Sequence, residues 1–195
     1  MLSVIIATLD CERALVPTLA TLVAGAAAGT VRDVIVADGG SRDGTRDVAD
    51  IAGCEIMLSR GSLAARLREA TAKARASWVM YLRPGVVLDA TWVEEVGRFV
   101  QGAEAQGAID APAAVFRRMS QPSVGRSPVG DAILQLWSAL RTRPMPEQGL
   151  VISKFLYERM GRHRDVPDPE ADLIARLGRR RILRLGSGIW VPQDT

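Results

Sequence analysis

The sequence predicts an α/β protein with one mostly parallel β-sheet and helices on both faces, and three observations carry this prediction. Short, continuous apolar runs alternate with segments whose apolar residues recur at helical spacing. Turn-forming residues follow the apolar runs, and a strand–helix–strand order requires right-handed crossovers between parallel strands. The 195 residues suit a single domain, 1–195, and the 48% hydrophobic and 24% charged residues exclude a disordered or fibrous chain.

The first half of the chain predicts a Rossmann-like unit of strands separated by helices. Asp10 is the predicted N-cap of a first helix that ends at Gly25 or Gly29, and Asp43 or Thr45 is the predicted cap of the second helix. The predicted strands are 2–7, 31–37, 56–58 and 78–82, and a third helix is predicted over 63–76.

The second half has a less regular pattern, which begins where Pro84 and Gly85 break the fourth strand. Residues 120–126 are predicted to form a polar loop, and Pro112 interrupts the strand predicted before it. The predicted helices are 91–101, 129–141, 155–160 and 170–177, and the predicted strands are 108–119, 149–153 and 182–191.

Composition and charge exclude several classes of function. A formal charge of +3 is too small to indicate a nucleic-acid partner, and we predict none. Two distant cysteines and one histidine, His163, exclude a structural zinc site. The N-terminal apolar run is too short for a signal peptide, and no stretch predicts a transmembrane segment, so we expect a cytoplasmic protein; peripheral membrane contact stays open.

Three turn segments are predicted to meet at one edge of the sheet, because each follows the carboxyl end of a strand. These segments are 8–10, 38–45 and 83–85. In open parallel sheets, ligands bind beyond the carboxyl ends of the strands. By itself, the Asp38-Gly39-Gly40 sequence would indicate a glycine turn, but an acid at this edge can also accept hydrogen bonds from a ribose or a base.

Several segments resemble family 2 glycosyltransferases with the GT-A fold. Residues 3–10 (SVIIATLD) are similar to the family opening "VIIPTLNEE", and residues 34–45 (VIVADGGSRDGT) are similar to its "VVDGGSTDGT" turn. Weaker similarity covers 60–76, 78–82, 148–161 and 168–173, so the resemblance spans most of the chain.

This resemblance implies a single GT-A domain whose residues 1–88 bind a nucleotide-sugar donor and whose residues 89–195 bind an acceptor that the sequence does not identify. It also implies an inverting, hexosyltransferase-type reaction in which Glu170 is the general base for the acceptor hydroxyl, with Asp172 as second candidate. The residues expected at the nucleotide are Thr8, Asp10, Asp38, Gly39, Arg60, Arg66 and Arg83.

One departure from the family concerns the metal. The Asp-x-Asp motif should follow Leu82, but Arg83-Pro84-Gly85 stands there, so no metal cofactor is predicted, and Mg²⁺ or Mn²⁺ would need ligands outside this motif. One hypothesis is that Arg83 neutralises the leaving diphosphate in place of a metal. The simpler interpretation is a solvent-facing arginine beside a turn proline.

Two functions therefore remain open, a glycosyltransferase and a catalytically inactive GT-A-like module for nucleotide binding or interaction. A nucleotidyltransferase is disfavoured because residues 8–11 lack a glycine-rich phosphate loop with lysine. His163 is predicted to be a surface residue. The tryptophans Trp78, Trp92 and Trp137 are predicted to lie in the core, and Trp190 remains a candidate for stacking on a sugar.

Overall fold

The computed structural model describes residues 1–105, 107, 111–119 and 144–191. Its helices, numbered among these residues, are α1 Glu12–Ala27, α2 Thr45–Ile51, α3 Leu63–Lys73, α4 Trp92–Ala105, α5 Lys154–Arg159 and α6 Pro169–Leu177, with short 3₁₀ turns at Pro146–Gln148 and Arg179–Arg181. The strands are β1 Leu2–Thr8, β2 Val31–Asp38, β3 Glu55–Leu58, β4 Trp78–Leu82, β5 Val87–Leu88, β6 Ala113–Arg118, β7 Leu150–Ser153 and β8 Ile182–Trp190.

Within these residues the strands form one sheet in the order β3-β2-β1-β4-β7-β6-β8-β5. The first four strands of this order are mutually parallel, as the sequence predicts. Strand β7 runs antiparallel to both β4 and β6, and β5 runs antiparallel to β8, while β6 and β8 are parallel. The predicted α/β class with a mostly parallel sheet is confirmed.

Strand β1 explains why the sheet is covered on both faces. Its alternate residues point to opposite sides, so Val4 and Ile6 pack into one core cluster with Trp92 of α4, whereas Ile5 packs into a second cluster with Leu67 of α3. Burying one such aliphatic side chain stabilises the fold by roughly 1.5–3 kcal/mol. A continuous apolar run is therefore what a strand between two helix layers requires.

The helix caps agree only in part with the sequence predictions. The N-cap positions are Cys11 for α1 and Gly44 for α2, and neither residue forms a side-chain hydrogen bond to its helix, so the predicted caps Asp10 and Thr45 are wrong. Asp43 stands one residue before the N-cap position, but its carboxylate accepts the backbone N–H of Thr45, the first residue of α2, at 3.0 Å. Asp10 instead adopts a positive φ of 47°, and its carboxylate accepts the backbone N–H of Arg42 at 2.7 Å. The loop after β1 is thereby tied to the loop after β2.

Most other element boundaries agree with prediction within a few residues. Helix α4 continues to Ala105, past its predicted end at 101, and β6 begins only at Ala113, directly after Pro112, which has no N–H for the ladder. The predicted loop over 120–126 and helix over 129–141, including Trp137, lie outside the described residues. Trp78 and Trp92 are buried, as predicted. In the described part of the chain, no helix combines the length and apolarity needed to cross a membrane.

Candidate active site

A cleft of about 480 Å³ opens beyond the carboxyl ends of β1 and β4. Four predicted site residues line it: Thr8 at the end of β1, Arg66 on α3, Arg83 after β4, and Glu170 in the first turn of α6. The remaining lining residues are Ala7, Leu9, Leu63, Leu82, Pro84, Pro167 and Asp168. The other predicted site residues, Asp10, Asp38, Gly39, Arg60 and Asp172, do not belong to this lining.

Asp38 is fully buried, and its carboxylate is satisfied from within the protein. One oxygen accepts the backbone N–H groups of Gly40 and Ser41, each at 2.9 Å, and the other accepts the Thr8 hydroxyl at 3.0 Å and the Ser41 hydroxyl. Burial by itself would raise the pKa of Asp38, but these hydrogen bonds together hold it below its usual value. Asp38 therefore holds this turn together through its hydrogen bonds. Its direct contact with a ribose or base stays a prediction.

Arg66 is a buried cation in the wall of the cleft, with only 9% of its surface exposed. Its Nη1 donates to the carbonyl oxygens of Thr8 at 2.7 Å and Ala37 at 3.1 Å, while its Nε is buried and has no partner among the described residues. Among the described residues Arg66 forms no ion pair, and its hydrogen bonds go to neutral carbonyl oxygens. A guanidinium remains charged at all physiological pH values, so this wall of the cleft favours an anion.

Gly39 explains how Arg66 can take this position. A Cβ atom at residue 39 would lie 2.7 Å from Nη1 of Arg66, which is closer than the two atoms can approach. The glycine that the sequence assigns to the nucleotide site therefore leaves room for a cation. Arg60, assigned to the same site, is exposed, and its side chain lies 4.0 Å from where a Cβ of Gly40 would be.

Arg83 binds three carboxylates at once. Its Nε donates to Glu170 at 2.6 Å, its Nη1 to Glu147 at 3.0 Å, and its Nη2 to both oxygens of Asp168 at 3.1 and 3.2 Å. Its side chain is 31% exposed, so the simpler sequence interpretation of a solvent-facing arginine is wrong. The ion pairs form because the 3₁₀ turn Pro146–Gln148 packs against both β4 and α6, which brings Glu147 and the first turn of α6 to Arg83.

Glu170 is the most buried carboxylate of this cluster, with a side chain only 11% exposed. The helix places it there: Asp168 is the N-cap of α6, accepting the N–H of Ala171 at 3.0 Å, and Pro169 occupies the first turn, where no N–H is needed. Burial raises the pKa of Glu170, and the neighbouring Arg83 only partly opposes this. A carboxylate with a raised pKa, lining a cleft, is suited to accept a proton.

Asp172, the second candidate base, is placed differently. Its carboxylate pairs with Arg176 one turn along α6 at 2.7 Å, and Arg176 in turn donates to the carbonyl oxygens of Met160 and Arg162. Asp172 thus orients an arginine that holds the segment before α6.

Two acids of the cluster, Glu147 and Asp168, are not among the site residues that the sequence predicts. Asp168 could have been found from the Asp-Pro pair that starts a helix, but such a pair equally indicates a simple cap. Glu147 carries no sequence signal of its own, because its place depends on a 3₁₀ turn held by Gln148, which donates to the carbonyl oxygen of Phe116 at 2.8 Å.

His163 is buried behind the cleft, so its prediction as a surface residue is wrong. Its Nδ1 lies 3.0 Å from the Tyr157 hydroxyl, and its ring packs edge-on against Tyr81 of β4 at 4.9 Å. Burial lowers the pKa of His163 to about 3, and the nearby cations Arg176 and Arg68 add to the effect. The carbonyl oxygen of His163 accepts a hydrogen bond from Arg68 at 2.8 Å, which ties the segment before α6 to α3.

The part of the chain that the structure describes offers no ready site for a divalent metal ion. Among the described residues, no three His, Cys, Asp or Glu side chains gather in a way that could hold one. The carboxylates that come closest, Glu147, Asp168 and Glu170, already surround the guanidinium of Arg83.

Comparisons with known proteins agree with this fold. The family model described as "Glycosyl transferase family 2" matches residues 3–183. No curated protein sequence matches the chain significantly.

Solved structures with the same fold share little sequence identity with this chain. Glucosyl-3-phosphoglycerate synthase from Mycobacterium tuberculosis, solved with Mn²⁺, uridine diphosphate and glucosyl-3-phosphoglycerate, superposes with a TM-score of 0.65 at 18% identity, covering 100% of this chain and 73% of that one. A mannosyltransferase from Pyrobaculum calidifontis, solved with GDP-Man and Mn²⁺, gives 0.68 at 16% identity, covering 99% and 57%. TarS from S. aureus gives 0.66 at 11% identity, covering 97% and 60%. The chain thus spans between about half and three quarters of these neighbours.

Proposed function

Because the chain belongs to glycosyl transferase family 2, we propose that it transfers a sugar from a nucleotide-sugar donor to an acceptor hydroxyl, with Glu170 as the general base. The observation that carries the proposal is the meeting of two groups in one cleft: a buried carboxylate, Glu170, and a buried cation without an acid partner among the described residues, Arg66. The first can accept a proton, and the second can hold an anion.

The donor nucleotide would occupy the side of the cleft formed by residues 1–88. Arg66 binds the nucleotide through the guanidinium N–H groups that do not donate to the carbonyl oxygens of Thr8 and Ala37. Thr8 and Leu9 form the adjoining wall of the cleft. Asp38 and Gly39 shape this wall, and direct contact of Asp38 with the ribose or base stays a prediction, while the exposed Asp10 and Arg60 would reach the donor from outside the cleft lining. Residues 89–195 provide Glu170 and the acceptor side. Uridine and guanosine diphosphate are the nucleotides to test, since solved neighbours contain them.

The chemistry is an inverting displacement at the anomeric carbon of the sugar. The acceptor oxygen forms the new bond to this carbon as its proton passes to the Glu170 carboxylate. The bond from the anomeric carbon to the diphosphate oxygen breaks, and the nucleoside diphosphate leaves with that electron pair. A raised pKa matches Glu170 to this step, because a base that is almost never protonated accepts a proton poorly.

We further propose that donor binding needs no divalent metal ion. Two neighbours contain Mn²⁺, but in this chain an arginine follows β4, and the surrounding carboxylates are paired with it. The cytoplasmic location expected from the sequence stays a prediction.

A catalytically inactive module is the second candidate, and one observation favours it. The Nε of Arg83 lies 2.6 Å from the proposed base, so Glu170 is already engaged as an acceptor. If this ion pair were permanent, the protein would bind a nucleotide without transferring sugar.

The test is a panel of UDP- and GDP-sugars, with release of nucleoside diphosphate measured by coupled assay in the presence of EDTA. The proposal predicts release from at least one donor, with retained activity in EDTA. Binding of a nucleotide with no release from any donor, with or without acceptor sugars and Mn²⁺, would favour the inactive module. No binding of any donor, measured by calorimetry, would overturn both the transferase and a nucleotide-binding module, and would favour the interaction module that the sequence also leaves open.

A further inference from the structure

The single positive charge of Arg83 does not balance the negative charges of the acids around it. One guanidinium serves three carboxylates, those of Glu147, Asp168 and Glu170, and Glu147 retains a buried oxygen with no partner among the described residues. The cluster therefore carries surplus negative charge if all of its acids are ionised. The three acids therefore share one guanidinium, and each contact competes with the other two for its N–H groups.

Arg83 can also reach a ligand. It lines the same cleft as Arg66, and about a third of its side chain is exposed there. Its Nη2 pairs with Asp168, whose side chain is 46% exposed, so this contact is readily exchanged for another anion. Only the Nε contact, to Glu170, is substantially buried.

We infer that Arg83 is a partner-exchanging cation: when the donor binds, its Nη2 gives up the exposed carboxylate of Asp168 and turns to the diphosphate, and this movement draws the guanidinium away from Glu170, which can then act as the base. This inference rests on the proposed function. A planar guanidinium can bind two phosphate oxygens with paired donors, and a dianionic diphosphate offers more charge than one carboxylate. The exchange would supply the positive charge at the leaving group and would expose the base only when a donor is present.

The first experiment measures the affinities of UDP, UMP, GDP and GMP by calorimetry in EDTA. Arg83→Gln is expected to lose at least about tenfold in affinity for the diphosphate, with a smaller loss for the monophosphate, because a charge-assisted contact to the second phosphate is removed. Since Arg83→Gln leaves its carboxylates uncompensated, the double variant Arg83→Gln/Glu147→Gln restores the original net charge of the cluster and protects against misfolding. Arg98→Gln, which removes a surface cation paired with Glu94, is the control and should bind as wild type.

The second experiment measures proton uptake on binding, from calorimetry in buffers of different ionisation enthalpy. When Arg83 turns to the diphosphate, Glu170 loses this cation and is faced by Asp168, Glu147 and the Tyr81 hydroxyl, so its pKa should rise. In the double variant the cation is already absent, so wild type should take up more protons on binding than the double variant does. Glu170→Gln should abolish the difference.

The outcomes separate the two proposals. If a diphosphate binds wild type but the Arg83 variants keep the full preference for diphosphate over monophosphate, or take up as many protons as wild type, the inference on Arg83 is overturned and the proposed function stands. If neither diphosphate binds wild type, both are overturned.

Discussion

The turn around Asp38 and the cluster around Arg83 lie at the same edge of the sheet but differ in how their charges are compensated. At Asp38, one carboxylate receives four hydrogen bonds from the protein and has no exposed surface. At Arg83, one cation is divided among three carboxylates and stays partly open to the cleft. In the segment that most resembles the family, the carboxylate of Asp38 thus has all of its hydrogen bonds within the protein. In the segment that departs from the family, the single positive charge of Arg83 faces three negative charges. Under the proposed function, the Asp38 turn supports the donor side of the cleft, and the departure at Arg83 lies beside the base, Glu170.

Removing the base should have the largest effect. Glu170→Gln is expected to lower the transfer rate by a factor of about 10²–10⁴, the usual contribution of a general base. Asp172→Asn is the matched control on the same helix, because Asp172 pairs with Arg176 and does not line the cleft. Rate measurements at saturating donor check both variants. A Glu170→Gln enzyme as fast as wild type would exclude Glu170 as the base.

Disrupting the saturated turn should affect stability rather than chemistry. Asp38→Ala leaves the N–H groups of Gly40 and Ser41 without their acceptor, and hydrogen bonds to a charged group stabilise by about 1.5–3 kcal/mol each, so we expect the free energy of unfolding to fall by about 3 kcal/mol or more. Urea denaturation measures it. The exposed Asp47→Ala, on α2, should change it by under about 0.5 kcal/mol. Equal stability of Asp38→Ala and wild type would show that the turn does not depend on this carboxylate.

His163 should make stability depend on pH. Its pKa is about 3 in the folded protein, well below the ordinary value of about 6.5, so below pH 6.5 the unfolded chain binds a proton that the folded protein does not. Stability should therefore fall as the pH drops from 6.5 towards 3, by up to roughly 1.4 kcal/mol per pH unit. His163→Asn removes this group, so denaturation curves of the two proteins at pH 7.5, 5.5 and 4.5 should converge in acid. Parallel pH profiles would contradict a buried neutral histidine.

A smaller effect is expected from crowding Arg66. Gly39→Ala would place a methyl group against Nη1 of Arg66, which must shift, and we expect the affinity for a nucleoside diphosphate to fall by about three- to tenfold, or roughly 0.7–1.4 kcal/mol. Gly97→Ala on α4 is the control, because a Cβ there meets no neighbouring atom within 4 Å. Titration calorimetry on the two variants decides whether Arg66 binds the ligand: unchanged affinity in Gly39→Ala would argue against it.

Much of the fold could be predicted from the sequence, because it depends on periodic apolar runs such as 2–7 and 31–37 and on the turns between them. The site could be predicted only in part. The strand pattern predicts that Thr8 and Arg83 meet at one edge, the family resemblance adds Arg66 and Glu170 to the site, and the structure brings these four into one cleft. The sequence could not show that Arg83 meets Glu147 and Asp168, since these contacts join residues 64 and 85 positions apart. Nor could it show that His163 is buried, because a lone polar residue between arginines has no periodic pattern.

The most direct test of the account is the affinity of uridine and guanosine diphosphate for the wild-type protein, measured by calorimetry first in EDTA and then with Mn²⁺. Since cations of the chain itself, Arg66 and Arg83, line the cleft, the account predicts binding of at least one diphosphate in EDTA, with an affinity that Mn²⁺ changes by no more than about twofold, or about 0.4 kcal/mol. Binding that requires Mn²⁺, or that strengthens tenfold or more when Mn²⁺ is added, would contradict it.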